Sequence, residues 1–382
     1  MTVGAAPKGK VGVGVIGAGV ISAQYLANLT TFPDLEVRFV ADIDLDRAKA
    51  RADEFGVPAS GTTEELLADD GISIVVNLTL PSVHAEVDLQ ILAAGKHVWS
   101  EKPIATNAED ARRVLEAAEA AGLRVAVAPD TVLGAGLQTA FRAIADGRIG
   151  DPQTATTMVL NPGPERWHPA PEFLFQAGGG PLLDMGPYYL STLVTLFGSV
   201  VRVSAVGSIA RPERVIESGP RAGTSFEVTV PTHSALLLEF EGGASAQATF
   251  SFQSALPRSG FFEVTGTTGA IVLPDPNMFD GESELWTLES WKGFTGQDRP
   301  TPERVEPVGP TSGRGLGVLD LARAIAAGVP ERASGALAAH VLDVMLAAAE
   351  ASEQGATVAV TSRVAAPEPL PADWNPYERT LE

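Results

Sequence analysis

Cysteine is absent from the 382 residues, which excludes a disulfide framework, a thiolate nucleophile and any cysteine metal site. Histidine is scarce as well: His84, His97, His168, His233 and His340 are the only five, and they fall without metal-ligand spacing, so no metal is expected. Charged residues make up only 19% of the chain, yet their balance is -20. Such an acidic surface repels nucleic acid and anionic bilayers and leaves small neutral molecules as the expected partners. No transmembrane segment, internal repeat or low-complexity tract is apparent. The first ten residues lack the apolar core and cleavage site of a secretory signal, so the expected location is cytoplasmic. What the chain does have is apolar content, 45% of residues, sufficient at this length for a large core and two domains.

From residue 11 to 128, short β-branched runs alternate with longer amphipathic stretches, the pattern of βαβ units feeding a parallel sheet. Strands are predicted at 11–16, 37–41, 72–78, 97–100 and 124–128, and their nearly continuous apolar character suits burial on both faces. Ser82 is a candidate cap for a helix running to residue 94, and Thr106 or Asn107 for one running to 121, with Gly95 and Gly122 at left-handed C-terminal positions. Beyond 128 the texture changes. Proline and glycine become frequent up to Tyr188, and alternating strands then dominate from 200 to about 289, including a hairpin turning at Glu241-Gly242-Gly243. Helices are predicted again at 316–327 and 336–351. The expected architecture is α/β: a doubly wound, Rossmann-type domain over 1–128, then an α/β domain over 129–382 with an open, predominantly antiparallel sheet. Leu236, Leu238 and Phe240 alternate with Leu237, so both sheet faces carry apolar side chains, and a homo-oligomer, dimer or tetramer, is expected.

The stretch Val13-Gly14-Val15-Ile16-Gly17-Ala18-Gly19-Val20-Ile21-Ser22 reads as a strand, a tight glycine turn and a helix start. Gly17 permits the turn, Gly19 lets a pyrophosphate approach, and Val20 and Ile21 open the helix whose amides face it. Ser22 takes the third fingerprint position in place of glycine. Asp42 follows at the end of the second strand, about twenty residues on, where a carboxylate accepts hydrogen bonds from ribose hydroxyls. It also repels a 2′-phosphate, which favours NAD over NADP, although Arg47 lies close enough in sequence to swing toward such a phosphate. The alternative is that Asp42 or Asp44 merely caps the next helix.

These features, with Glu101-Lys102-Pro103 after the fourth of the predicted strands and the run Gly178-Gly179-Gly180-Pro181-Leu182-Leu183-Asp184-Met185-Gly186-Pro187-Tyr188, resemble the Gfo/Idh/MocA oxidoreductase family. The resemblance implies a cofactor-bearing Rossmann domain and a substrate held against the nicotinamide. It implies that Lys102 is the catalytic-site lysine and Asp184 the substrate-binding aspartate, and that Thr79 and Glu101 line the nicotinamide side; Leu80 and Asp130 are expected beside the cofactor as well, and His84, just inside a helix, is expected either to line the cofactor side or to stabilise the domain. Tyr188 stands where most members carry a histidine that takes the substrate proton, as in the glucose-fructose oxidoreductase and dihydrodiol dehydrogenase branches. Asp130 stands where asparagine is commoner.

The chemistry can be argued from the residues themselves. Oxidising a carbinol removes a hydride and a proton together; a tyrosine with its ordinary pKa near 10 is a poor base until a nearby ammonium stabilises the phenolate. Lys102 is the candidate cation and Tyr188 the proton carrier. Asp184 and Tyr188, four residues apart, share a face if both lie on one helix, but Pro187 either kinks that helix or marks its first turn. Each residue has a plainer reading: Lys102 on the surface, Tyr188 or its neighbour Tyr189 in the core, Asp184 as a cap near Met185. Trp167 and His168, in a proline-rich loop, could wall a substrate pocket, with His168 a rival acid/base, or could simply be packed. His97, His233 and His340 read as structural. The expected activity is an NAD-dependent oxidoreductase acting on a sugar, cyclitol or related polyol. Two alternatives stay open: transient oxidation by a tightly bound NAD serving elimination or glycoside cleavage, and a non-catalytic dinucleotide sensor.

Overall fold

A computed structural model describes residues 9–297 and 299–381. The chain folds into two compact units, and the first is built around a six-stranded parallel sheet. In chain order this sheet unit contains β1 (Val11–Ile16), α1 (Val20–Leu29), β2 (Leu35–Ala41), α2 (Leu45–Phe55), β3 (Ala59–Gly61), α3 (Thr63–Leu67), β4 (Ile74–Asn77), α4 (His84–Ala93), β5 (His97–Ser100), α5 (Ala108–Ala121) and β6 (Val125–Val127). The strand order β3-β2-β1-β4-β5-β6 reverses direction between β1 and β4. Ligands of doubly wound sheets bind outside the carboxyl ends of the strands at such a switch point. Local chemistry sets the helix ends. Asp44 and Asn107 accept the N3 amides of α2 and α5, Thr62 and Glu65 form a capping box on α3, and Gly122 turns left-handed after α5. Ser82 does not cap α4. It sits in a tight turn, Pro81–Val83, that the proline initiates ahead of the helix.

The second unit contains α6 (Ala135–Ala145), β7 (Pro152–Leu160), α7 (Gly180–Phe197), β8 (Val200–Ser208), β9 (Glu213–Val215), β10 (Ser225–Glu227), β11 (His233–Phe240), β12 (Ser245–Ser251), β13 (Arg258–Gly266), β14 (Gly269–Val272), β15 (Ser283–Thr287) and β16 (Glu303–Val305). The rest of the chain forms α8 (Leu316–Ala327), α9 (Gly335–Gln354) and β17 (Val358–Ala359). Nine strands make one sheet in the order β16-β15-β14-β13-β7-β12-β11-β8-β17, antiparallel except where β7 and β12 run parallel, and β9 pairs with β10 in a separate ribbon. Leu236, Leu238 and Phe240 of β11 are buried while Leu237 is 57% exposed, as strict alternation requires. Helix α7 packs on the buried face, where Tyr189 contacts the rings of Phe250 and Phe262.

The domain boundary read from the sequence needs correction. The first unit comprises the described residues of Met1–Gly134, Gly309–Ala339 and Leu370–Glu382, and the second comprises Ala135–Val308 and His340–Pro369. Buried Asp34, just before β2, accepts the amides of Thr380 at 2.8 Å and Leu381 at 2.9 Å and the Arg323 guanidinium at 2.9 Å, so late segments complete the early sheet unit. Which sheet a helix packs on is a tertiary property that local periodicity does not carry. Among the described residues α9 is also long and apolar enough, at mean hydropathy 1.3, to cross a bilayer, where none was expected. More than half of that stretch is buried within the protein, with Val341, Val344, Met345 and Ala348 inside.

Candidate active-site residues

At the switch point β1 runs into Gly17, whose φ is +101° and whose added Cβ would stand 2.7 Å from the Leu78 carbonyl oxygen, so no side chain fits. Gly19 is the N-cap of α1, with no side-chain cap and no acidic residue in the first turn, and a Cβ there would meet nothing within 4 Å. Val20 is 88% exposed. The helix therefore opens on uncapped amides at an accessible surface, an arrangement suited to a pyrophosphate. Ser22 is buried and donates to the Gly19 carbonyl at 2.7 Å, so its small hydroxyl is absorbed by the turn itself.

Asp44, not Asp42, caps α2. The Asp42 carboxylate instead takes the Ala18 amide at 2.7 Å, the Asp44 amide at 2.9 Å and the Arg47 guanidinium at 2.7 Å. Burial alone would raise its pKa, but the Arg47 hydrogen bond and the two amides hold the carboxyl below its usual range. It is anionic at neutral pH and anchored beside the glycine turn. Uncapped amides, a turn with no room for a side chain and this carboxylate together fit a dinucleotide.

Asn77, at the end of β4, organises the next stretch. Its Oδ1 accepts the Thr79 amide at 3.1 Å and hydroxyl at 2.6 Å, while its Nδ2 donates to Asp88 at 2.7 Å. Leu80 beyond it is 71% exposed. His84, expected on the cofactor side, is 1% exposed and clamped between two carbonyls, Pro103 at 2.8 Å from Nδ1 and Thr79 at 3.1 Å from Nε2. Burial pushes its pKa down. It ties the Thr79 turn to the Lys102-Pro103 turn and has almost no surface of its own.

Glu101 turns inward. One carboxylate oxygen accepts the Tyr25 hydroxyl at 2.8 Å and the other accepts the backbone amide of Lys102 at 3.0 Å. Lys102 itself is half-buried. Asp130 is completely buried and accepts the amides of Gly315 at 2.7 Å and Gly317 at 3.3 Å, so it faces the late segment and has no surface to line a cofactor. That departs from the expected role. Burial drives its pKa up to about 6, opposed chiefly by Arg314. Arg314 is absent from the sequence-derived set, and its only local signal is a position between two glycines.

In the second unit α7 begins at Gly180, with Pro181 in its first turn, and runs through Pro187 to Phe197. Asp184 is thus inside the helix and does not cap it. Asp184 and Tyr188, one turn apart, share a face. Pro187 has no amide to offer the Leu183 carbonyl, so the helical ladder lacks one bond beside Asp184. Tyr189 belongs to the core: its hydroxyl donates to Asp275 at 2.7 Å and accepts the Gly260 amide at 3.1 Å. Trp167 is 58% exposed, and the His168 ring meets Phe173 edge-on at 5.4 Å and takes the Ala170 amide at 3.1 Å on Nδ1. The loop bearing them is anchored by Glu165 and Arg214, a fully buried ion pair at 2.6 Å. Arg214 also donates to the Phe252 carbonyl and lies 5.0 Å over the Phe175 ring.

His97 accepts the Arg124 amide and is pushed down to about 4, first by burial and then by Arg124. His340 accepts the Val200 amide, and His233 begins β11. Among the described residues no cluster of three or more histidine, aspartate or glutamate side chains is arranged to hold a metal.

Residues 11–128 match the oxidoreductase family with NAD-binding Rossmann fold, and residues 137–272 match the GFO/IDH/MocA C-terminal domain. The chain belongs to the GFO/IDH/MocA oxidoreductases. Among curated members of similar sequence, trans-1,2-dihydrobenzene-1,2-diol dehydrogenase of Mus musculus is 31% identical over 264 residues, 67% of this chain and 72% of that one. The 1,5-anhydro-D-fructose reductase of Ensifer adhaerens is 30% identical over 266 residues, 68% of this chain and 74% of that one. Two solved structures share the fold at lower identity. Levoglucosan dehydrogenase in complex with NADH and L-sorbose superposes with a TM-score of 0.78 at 24% identity, covering 92% of this chain and 99% of that one. Aldose-aldose oxidoreductase from Caulobacter crescentus gives 0.75 at 21%, again covering 92% and 99%. The GFO/IDH/MocA chain is therefore an oxidoreductase whose N-terminal module is of the dinucleotide-binding kind.

Proposed function

We propose that this oxidoreductase moves a hydride between NAD and a secondary alcohol or carbonyl of a sugar, cyclitol or related polyol, with Lys102, Asp184 and Tyr188 managing proton and charge. The observation that carries the reading is the continuity of α7 through Pro187, which sets a carboxylate and a phenol one helical turn apart on a single face. A carboxylate accepts a hydrogen bond from one substrate hydroxyl, and a phenol can take or return the proton of a reacting hydroxyl. The Lys102 ammonium is suited to stabilising an alkoxide or phenolate. Trp167 offers an exposed flat face for a ring, and His168 a hydrogen-bonding edge. The names of the curated relatives, which concern a diol and an anhydro sugar, support the substrate class.

The amides at Gly19, Val20 and Ile21 would hold the pyrophosphate, Asp42 the adenosine ribose, and Thr79 and Leu80 the nicotinamide side. A bound nicotinamide supplies the hydride donor or acceptor. The ionised Asp42 favours ribose hydroxyls over a 2′-phosphate; Arg47 offsets part of that repulsion, so the preference for NAD is one of degree.

The test is to incubate the purified protein with NAD, and separately NADP, against sugars, cyclitols, anhydro sugars and diols, following reduced cofactor and product together. Reduced cofactor with one polyol class is the expected result. Product without reduced cofactor would move the reading to transient oxidation by a retained NAD. Binding of NADH with neither product nor reduction across the panel would move it to a sensor.

A further inference from the structure

Residues 313–317 pack against α1 and β5, the strand that leads into Glu101-Lys102. Gly317 lies so close to Trp99 that an added Cβ would stand 1.9 Å from the indole ring, and the Arg314 carbonyl accepts the Asn28 side-chain amide at 2.9 Å. The side chain of Arg314 is 12% exposed, and its Nη1 lies 3.8 Å from Glu101 Oε1 and 3.7 Å from Asp130 Oδ1. Around it Tyr25 and Trp99 are fully buried, linked by a hydrogen bond from the indole to the phenol at 3.2 Å. The Tyr25 hydroxyl, whose pKa is raised well above 10 by burial and then by the two carboxylates, is a neutral donor. The pocket thus holds two carboxylates and, among the ion pairs reaching them, one guanidinium common to both.

Two carboxylates in a buried site repel each other, and a guanidinium common to both offsets that repulsion and holds them in place. Glu101 matters more than its partner, since its Oε2 receives the Lys102 amide. Displacing that carboxylate weakens its charge-assisted bond to the amide.

We propose that Arg314 is a positioning residue for Lys102: its guanidinium offsets the repulsion between Glu101 and Asp130 and so holds the Glu101 carboxylate where it fixes the backbone from which the Lys102 ammonium projects. The inference rests on the role given to Lys102 above. It assigns a remote part of the chain to the reaction without placing it on substrate or cofactor.

The experiment uses the full-length, cofactor-free protein and follows hydrogen exchange of the peptide containing the Lys102 amide, with turnover of the polyol panel measured separately. In Arg314→Met, exchange should quicken about tenfold as the charge-assisted bond weakens, and kcat should fall more than KM rises. Asp130→Asn added to Arg314→Met removes one of the two carboxylates while keeping an acceptor for Gly315 and Gly317. That pair should recover most of the lost protection and turnover, which a merely structural arginine would not allow. Unchanged exchange in Arg314→Met, or a loss that Asp130→Asn does not repair, overturns the proposal. Should Arg314→Met not fold, Arg314→Lys decides: protection near wild type supports charge compensation, and loss of protection in a folded protein overturns it. Lys102→Ala separates the two levels, because retained turnover there sinks the catalytic reading while the exchange data still judge the Glu101 latch.

Discussion

Tyr188 is the residue whose chemistry is most exposed to test. Tyr188→Phe keeps the ring and deletes the proton; if the hydroxyl transfers it, kcat should drop about 10²- to 10⁴-fold with NADH affinity unchanged by fluorescence titration. A negligible loss would pass the role to His168 or Lys102. Asp88 gives a second, independent measurement. Burial raises its carboxyl to about 7, against which the Asn77 side chain pulls only partly. The folded protein therefore holds a proton that the unfolded chain releases near pH 4, so stabilisation present at low pH is lost as pH rises through about 7. Asp88→Asn mimics the neutral form. Relative to wild type it should gain about 2 kcal/mol or more between pH 5 and pH 8 in chemical denaturation, and parallel pH profiles would show that Asp88 is already ionised at neutral pH.

Among the elements, the short loop carrying Trp167 and His168 depends on the buried Glu165–Arg214 pair. Arg214→Met should destabilise the protein by about 3–5 kcal/mol, because it strands a buried carboxylate. A loss under about 1 kcal/mol, within the range of an exposed pair, would mean that water reaches Glu165. This element scale is also where the sequence was easiest to read. The fingerprint turn, the 241–243 hairpin and the bounds of the helix at 316–327 are local: each is written in consecutive residues through glycine turns or apolar period. Asp184 reads locally as a possible cap near Met185, whereas α7 opens four residues earlier, at Gly180, because Pro181 in the first helical turn initiates the element. Strand β3 and helix α3, three and five residues long, are too short to show a period. The partners of Asp130 lie 185 and 187 residues away, and no window of sequence joins them.

For the whole molecule, the late segments determine how the first unit survives acid. Burial works against ionised Asp34, but hydrogen bonds from Leu381, Thr380 and Arg323 prevail and hold its carboxyl below the usual range. A depressed carboxyl contributes stability above its unfolded value near pH 4 and loses it as pH falls through the lower folded value. Asp34→Asn should cost about 2–3 kcal/mol at pH 7, with the gap to wild type closing toward pH 3; an equal gap at both pH values would assign the effect to shape alone. On the second unit, Leu237 and Val206, 57% and 65% exposed, edge a depression of about 480 Å³ on the outer face of the nine-stranded sheet. If that face associates with a second copy, Leu237→Glu should shift the protein to a smaller species in sedimentation, and an unchanged mass would remove this face from any assembly.

The discontinuity of the first unit sets an order of events during synthesis. A nascent chain displays the whole glycine fingerprint once residue 42 has emerged, yet Asp130 waits for Gly315 and Gly317, and Asp34 waits for Thr380 and Leu381. A message truncated anywhere between residues 134 and 313 would encode every residue of the parallel sheet and still leave both carboxylates without these partners, their stretch of surface bare to chaperones and proteases.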